Sequence, residues 1–195
     1  MRVEDEFVIR QREDSREKRV IASLAAQRLR DGSTLFLNDG TSTYALAQSI
    51  FDRPFTVFTT ALNVAQLLAG SQLAEVFVIG GWLRTTSFGT IGSMATETIS
   101  GLHADVAIIG PDGVTQDDGV GQHSLEDAAV AKAMSENSER TVVLASPRKI
   151  GRRVRARALG WAQVDEFVVS SLPTEFARHI EASGVRVVAS TSGQA

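Results

Sequence analysis

Three consecutive hydroxyl residues, Thr41, Ser42 and Thr43, follow directly on Asn38-Asp39-Gly40 at the end of the apolar run Leu35-Phe36-Leu37. Gly40 permits a tight turn and a close approach of backbone to a ligand. The residues that follow, Tyr44-Ala45-Leu46-Ala47, enter a helical pattern, so the hydroxyls stand at a helix opening. There, unpaired amide N–H groups and the positive end of the helix dipole face outward. Hydroxyls added to those donors make a cradle for a phosphate or carboxylate. A lone Thr-Ser pair would suit an ordinary helix cap. Three hydroxyls behind a glycine favour anion binding, so Gly40, Thr41, Ser42 and Thr43 are the expected phosphate-binding group. A Walker-type loop is excluded, because the spacing G-x-x-x-x-G-K-[ST] does not occur.

Other loops carry reactive side chains. Thr59-Thr60-Ala61 brings hydroxyls into a helix start, and Gly80-Gly81-Trp82-Leu83-Arg84 allows close backbone approach before an aromatic and a cation. Arg148, Lys149, Arg152, Arg153, Arg155 and Arg157 crowd into ten residues. That run reads either as a solvated loop or as a cationic wall over an anionic ligand. Asp112, Glu126, Lys132 and Arg84 invite a catalytic test. An aldose–ketose isomerase needs a carboxylate base and a cation beside the developing enediolate. However, Glu126 and Lys132 lie six residues apart on a helix and do not share a face closely. Asp112 equally suits a turn before Gly113. No residue is assigned a catalytic role.

The elements that would position these groups alternate along the chain. Strands are expected at Thr34–Asn38, Thr56–Thr60, Glu75–Ile79, Val106–Ile109, Thr141–Ala145, Phe167–Ser170 and Val185–Ala189. Helices are expected from Ser15 to the closing Asp31-Gly32, and over Tyr44–Ile50, Leu62–Ala69, Ile91–Ile99, Leu125–Glu136 and Thr174–Ala182. Such alternation predicts an α/β fold with a mostly parallel sheet and helices on both faces, a three-layer αβα arrangement. Ligands bind at the carboxyl ends of strands in open sheets of this kind. Residues 1–14 are polar and lack an apolar period, so they read as a linker ahead of one domain over 15–195.

Composition narrows the function classes. A chain of 195 residues with 43% hydrophobic and 22% charged residues suits a soluble globular domain. There is no cysteine, so disulfides and thiolate chemistry are excluded. The three histidines are too dispersed to suggest a zinc site, and no metal or other cofactor is expected. No apolar run is long enough for a membrane span, so a cytoplasmic location is expected. A net charge of −3 argues against strong nucleic-acid binding by this chain itself.

Read together, the loops resemble the effector-binding domain of DeoR-type bacterial transcriptional regulators. The resemblance rests on Lys18-Arg19-Val20-Ile21-Ala22, Asn38-Asp39-Gly40-Thr41-Ser42-Thr43, Thr59-Thr60-Ala61-Leu62-Asn63 and Ile79-Gly80-Gly81. It continues through Ala104-Asp105-Val106-Ala107-Ile108-Ile109-Gly110, Gly113-Val114, Asp118-Gly119-Val120, the Glu126 to Met134 helix and Lys149-Ile150-Gly151. The likeness runs from about Phe7 to Ser171. It implies a fold related to sugar-phosphate isomerases and coenzyme A transferases, and a phosphorylated sugar or related metabolite as effector. Thr60, Gly80, Gly81, Arg84, Asp112, Glu126, Lys132 and Lys149 would line the ligand, with the phosphate on residues 40–43. Asp112 stands where these regulators commonly carry an uncharged residue and the isomerases an Asp. The family's DNA-reading helix-turn-helix would precede this domain and is not expected within this chain. Like chains would assemble into a homo-oligomer. The alternative expectation is a sugar-phosphate isomerase or deaminase acting on the same ligand class.

Overall fold

Runs of Leu, Phe, Val and Ile form the strands that carry the site. In the computed structural model, which describes residues 3–190, seven strands make one parallel sheet. These are β1 (Thr34–Leu37), β2 (Thr56–Thr59), β3 (Glu75–Val78), β6 (Ala104–Ile109), β9 (Ser138–Ala145), β11 (Glu166–Val169) and β12 (Arg186–Ala189). Their order across the sheet is β12-β11-β9-β6-β1-β2-β3. The chain therefore winds outward from β1 in one direction, then returns to β6 and winds in the other. The reversal falls between β1 and β6, paired in register as Leu35↔Val106 and Leu37↔Ile108.

Alternating side chains feed two cores. Leu35, Leu37, Val57, Ile108 and Leu144 pack beneath Ile21, Leu46 and Val64 from α2 (Ser15–Ala26), α3 (Thr41–Ser49) and α4 (Leu62–Leu68). Phe36, Ala107, Ile109, Val143 and Phe167 face the opposite way. They meet Ile99, Val130 and Ile180 from α5 (Ser93–Ser100), α6 (Leu125–Glu136) and α7 (Thr174–Glu181). Each fully buried side chain of this kind contributes about 1.5–3 kcal/mol. The expected αβα layering is observed. Trp161 closes the second core, its ring 5.5 Å from Phe167 and 6.1 Å from Phe176. Its Nε1 donates to the carbonyls of Thr115 and Gln116.

The amino ends of the strands are tied off. Glu166 is buried between Arg28 and Arg140, and the carboxylates of Asp105 and Asp165 accept from the amides of Thr34 and Thr141. The carboxyl ends keep their polar groups for a cavity. Two smaller antiparallel units, absent from the sequence reading, flank that end. One is the hairpin of β4 (Trp82–Arg84) and β5 (Gly89–Ile91). The other joins β7 (Gly113–Thr115), β8 (Gly119–Gln122) and β10 (Ala156–Leu159). Trp82, on the hairpin, is 79% exposed.

Within the segment expected as a linker, residues 3–12 form a helix, α1. It docks through Phe7, whose ring meets Tyr44 and Phe88 edge-on at 5.8 Å each, while Val8 and Ile9 are exposed. No described helix is long and apolar enough to cross a membrane.

Candidate functional site

The winding reversal between β1 and β6 opens a crevice at the sheet's carboxyl edge, the position where open α/β sheets take ligands. The buried Asn38 fastens its two sides. Its Nδ2 donates to the Gly110 carbonyl at 3.2 Å and its Oδ1 accepts from the Gly110 amide at 2.7 Å. Gln122 adds a second donor to the same carbonyl at 3.1 Å. Gly40, at a φ of 148°, then turns the chain into α3. Tyr44 makes the bond from its amide to the Gly40 carbonyl, so the amides of Thr41, Ser42 and Thr43 precede the helix's own ladder.

A cavity of about 300 Å³ sits over this junction. Its floor is Asp39, Gly40, Thr41, Gly110, Pro111 and Asp112. One wall is Arg84, His123 and Asp127; another is Ser146, Arg148, Lys149 and Arg152. The α1–α2 junction supplies the fourth with Arg10, Glu13, Asp14 and Lys18.

Charges in this space are crowded and partly desolvated. Lys149 donates to the Pro111 carbonyl, and burial pushes its ammonium down to about 8, opposed by Asp112. Asp39 is pushed up from 3.8 to about 6, chiefly by burial, with a hydrogen bond from Ser87 opposing and Asp127 and Asp112 adding repulsion. Asp127 is raised by burial, against its bonds to Ser124 and Arg84. Arg84 reaches Asp127 at 3.1 Å and donates to Ser124, the cap of α6, at 2.6 Å. The amide of His123 donates to Asp112 at 2.9 Å, and its imidazole lies 3.8 Å from the same carboxylate.

The Asp39 shift has a pH signature. The folded state holds this proton more tightly than the unfolded chain, so its stabilising effect is complete below about 4 and is lost as pH rises through about 6. Asp39→Asn should flatten that part of the stability curve and raise stability at neutral pH. Urea midpoints measured across the window check it.

Of the residues expected from sequence, the structure gathers Gly40, Thr41, Arg84, Asp112 and Lys149 around the cavity. Ser42 and Thr43 do not line it; both are buried behind Thr41, and Thr43 donates to the Gly40 carbonyl at 2.9 Å. Thr60 is fully buried under β5, where its carbonyl accepts from Thr90. Gly80 and Gly81 stand at the β3–β4 turn. A Cβ on Gly81 would lie 2.6 Å from the Ile91 carbonyl oxygen, so that glycine serves hairpin packing. Glu126 is exposed on the first turn of α6, and Lys132 is exposed and pairs with Glu136 at 3.7 Å. Sequence reasoning gave no site role to Arg10, Glu13, Asp14, Lys18, His123 or Asp127. The basic run divides. Arg148, Lys149 and Arg152 line the cavity, while Arg153 pairs with Asp118 at 2.6 Å beside a second, outer cleft. Among the described residues no His, Asp or Glu cluster has the arrangement of a metal site.

Comparison with known proteins agrees with this architecture. Residues 13–171 match the family described as the DeoR C terminal sensor domain. The chain is 27% identical over 175 residues to the HTH-type transcriptional repressor GlcR of Bacillus subtilis, covering 89% of this chain and 67% of that protein. It is 28% identical over 158 residues to the Glycerol-3-phosphate regulon repressor of Escherichia coli, covering 80% of this chain but only 63% of the repressor. Among solved structures, ribose 5-phosphate isomerase A from Methanocaldococcus jannaschii superposes with a TM-score of 0.52 at 14% identity, over 70% of this chain and 55% of that one. That likeness is one of fold. The family match spans most of the chain, and the protein belongs to the DeoR C-terminal sensor domain family.

Proposed function

We propose that the cavity binds a phosphorylated sugar or related phosphometabolite, and that occupancy regulates DNA binding by a separate reader domain. The observation that carries this reading is that Gly40 and Thr41, at the opening of α3, and Lys149 line one cavity at the winding reversal. Helix-start amides and a cation together suit a phosphate. Arg84, His123 and Asp127 on one wall, with Asp112 on the floor, suit the hydroxyls of a sugar. The relatives named as repressors, one of a glycerol-3-phosphate regulon, support the regulatory role. Both are longer than the stretch matched here, which leaves room in such proteins for a separate reader. Like chains would assemble into a homo-oligomer.

Binding without turnover is the favoured reading. Glu126 and Lys132 are exposed on α6 and do not line the cavity, and Asp112 already accepts from the His123 amide. An isomerase or deaminase reading is kept alive by Asp112 sharing the cavity with Lys149. Solvent proton exchange at C1 or C2 of a bound sugar phosphate, abolished by Asp112→Asn, would favour it. A thermal-shift panel of sugar phosphates tests the sensor reading. At least one should raise the melting temperature well beyond its unphosphorylated sugar. A panel that leaves melting unchanged, inorganic phosphate included, defeats it.

A further inference from the structure

Resting on the reading of the cavity as a phosphate-compound site, we propose that the α1–α2 junction is a built-in competitor for the ligand's cations, so that binding unlatches α1. Two cations facing the cavity are already engaged by this junction. Lys18, buried on α2, donates to the carbonyls of Arg10 and Glu13, the latter at 2.6 Å. These carbonyls lie at the C-terminal end of α1, where the helix dipole is negative. Arg148, from the loop after β9, pairs with the Glu13 carboxylate at 3.4 Å. Lys18 and Arg148 both line the cavity that also holds Thr41 and Lys149, where an arriving phosphate can recruit them as further cations.

The seated junction holds its charges paired. Arg10 and Lys18 match Glu13 and Asp14 in formal charge, and the carbonyl end of α1 already accepts from Lys18. Arg10 donates to the Thr86 carbonyl at 2.6 Å, which ties α1 to the β4–β5 hairpin. While α1 is seated, Lys18 and Arg148 are taken up by the junction, and an anion that holds them leaves the α1 carbonyls and Glu13 without their partners. The latch is light. The Arg148 and Glu13 side chains are 61% and 44% exposed, and α1 turns into α2 through Asp14 at a φ of 51°. Phe7 remains as the apolar anchor at the far end. A ligand binds one arrangement of α1 better than the other, which is what a population shift requires.

Inorganic phosphate is the probe. Calorimetry should show Glu13→Gln binding phosphate about two- to fivefold more tightly than wild type, the size of one exposed ion pair. Phosphate should also speed hydrogen exchange over residues 10–14 and trypsin cleavage after Arg12. If phosphate binds but protects those amides or leaves them unchanged, or if Glu13→Gln fails to tighten binding, the competitor role falls and the ligand reading stands. If phosphate binds neither protein, both fall together.

Discussion

Lys149→Met should weaken binding of any phosphorylated ligand by one to two decades. The estimate is the loss of one charge-assisted hydrogen bond, about 1.5–3 kcal/mol. The same substitution should make the empty protein more stable at neutral pH. Burial lowers the Lys149 ammonium from 10.5 to about 8, with Lys18, Arg10 and Arg152 repelling it and Asp112 opposing. The folded state therefore releases this proton more readily than the unfolded chain. Its cost to stability is complete below about 8 and is relieved as pH rises toward 10.5. Removing the ammonium removes the cost. Binding follows the opposite course. A phosphate monoester is already fully ionised above about pH 7, so loss of the Lys149 proton is what weakens the wild-type complex as pH climbs past about 8. The methionine variant should show a smaller fall, the remainder belonging to Lys18, whose ammonium burial also lowers. Calorimetric titrations on either side of that pH decide it, and a wild-type affinity indifferent to pH would remove Lys149 from the ligand's contacts.

Gly113→Ala should cause a large loss of stability beside the site. A Cβ there would fall well inside contact distance of the Arg152 carbonyl oxygen, with the carbonyl carbon at 3.1 Å and Val154 Cγ1 at 3.2 Å. Backbone is in the way, so no rotamer change relieves the clash. The strand must shift, at about 3 kcal/mol, which lowers the melting temperature of a domain this size by roughly 6–12 °C. Movement would travel into the cavity. Next along β7, the Val114 carbonyl accepts from the Gly151 amide at 2.8 Å, in the loop that carries Lys149 and Arg152. Gly101→Ala is the control: its new methyl would meet only the Thr98 carbonyl at 3.6 Å, an ordinary contact. Equal melting of the two variants would show that β7 yields more easily than its packing implies.

Much of the architecture was legible because apolar runs such as Leu35-Phe36-Leu37 must be buried on both faces, and a parallel sheet between helices does that. The site's location was legible for the same reason, since ligand loops follow the strands. Its individual residues were less so. Successive helix residues point about 100° apart, so three hydroxyls in a row cannot all face one cavity. Thr41 does, while Ser42 and Thr43 turn into the protein. The same rotation separates Glu126, exposed, from Asp127, which lines the cavity, although both are acids at the start of α6. Arg10, Glu13 and Lys18 were hidden for a different reason. α1 has no apolar stripe to announce a helix, and its approach to the cavity depends on contacts such as Arg10 with Thr86, distant in sequence. The β7–β8–β10 sheet was missed because Gly119-Val120-Gly121 carries a loop's composition, yet glycine is what close packing against neighbouring backbone demands there.

The placement of the two indoles gives the protein a pair of optical reporters that answer separately. Trp161, wedged among phenylalanines and holding two carbonyls, should emit toward the blue and resist iodide quenching until the domain unfolds. Trp82 stands in water two positions from Arg84 and should emit toward the red, open to the quencher. A single emission spectrum can thus follow global melting in one band and rearrangement of the β4–β5 hairpin in the other, with no label attached.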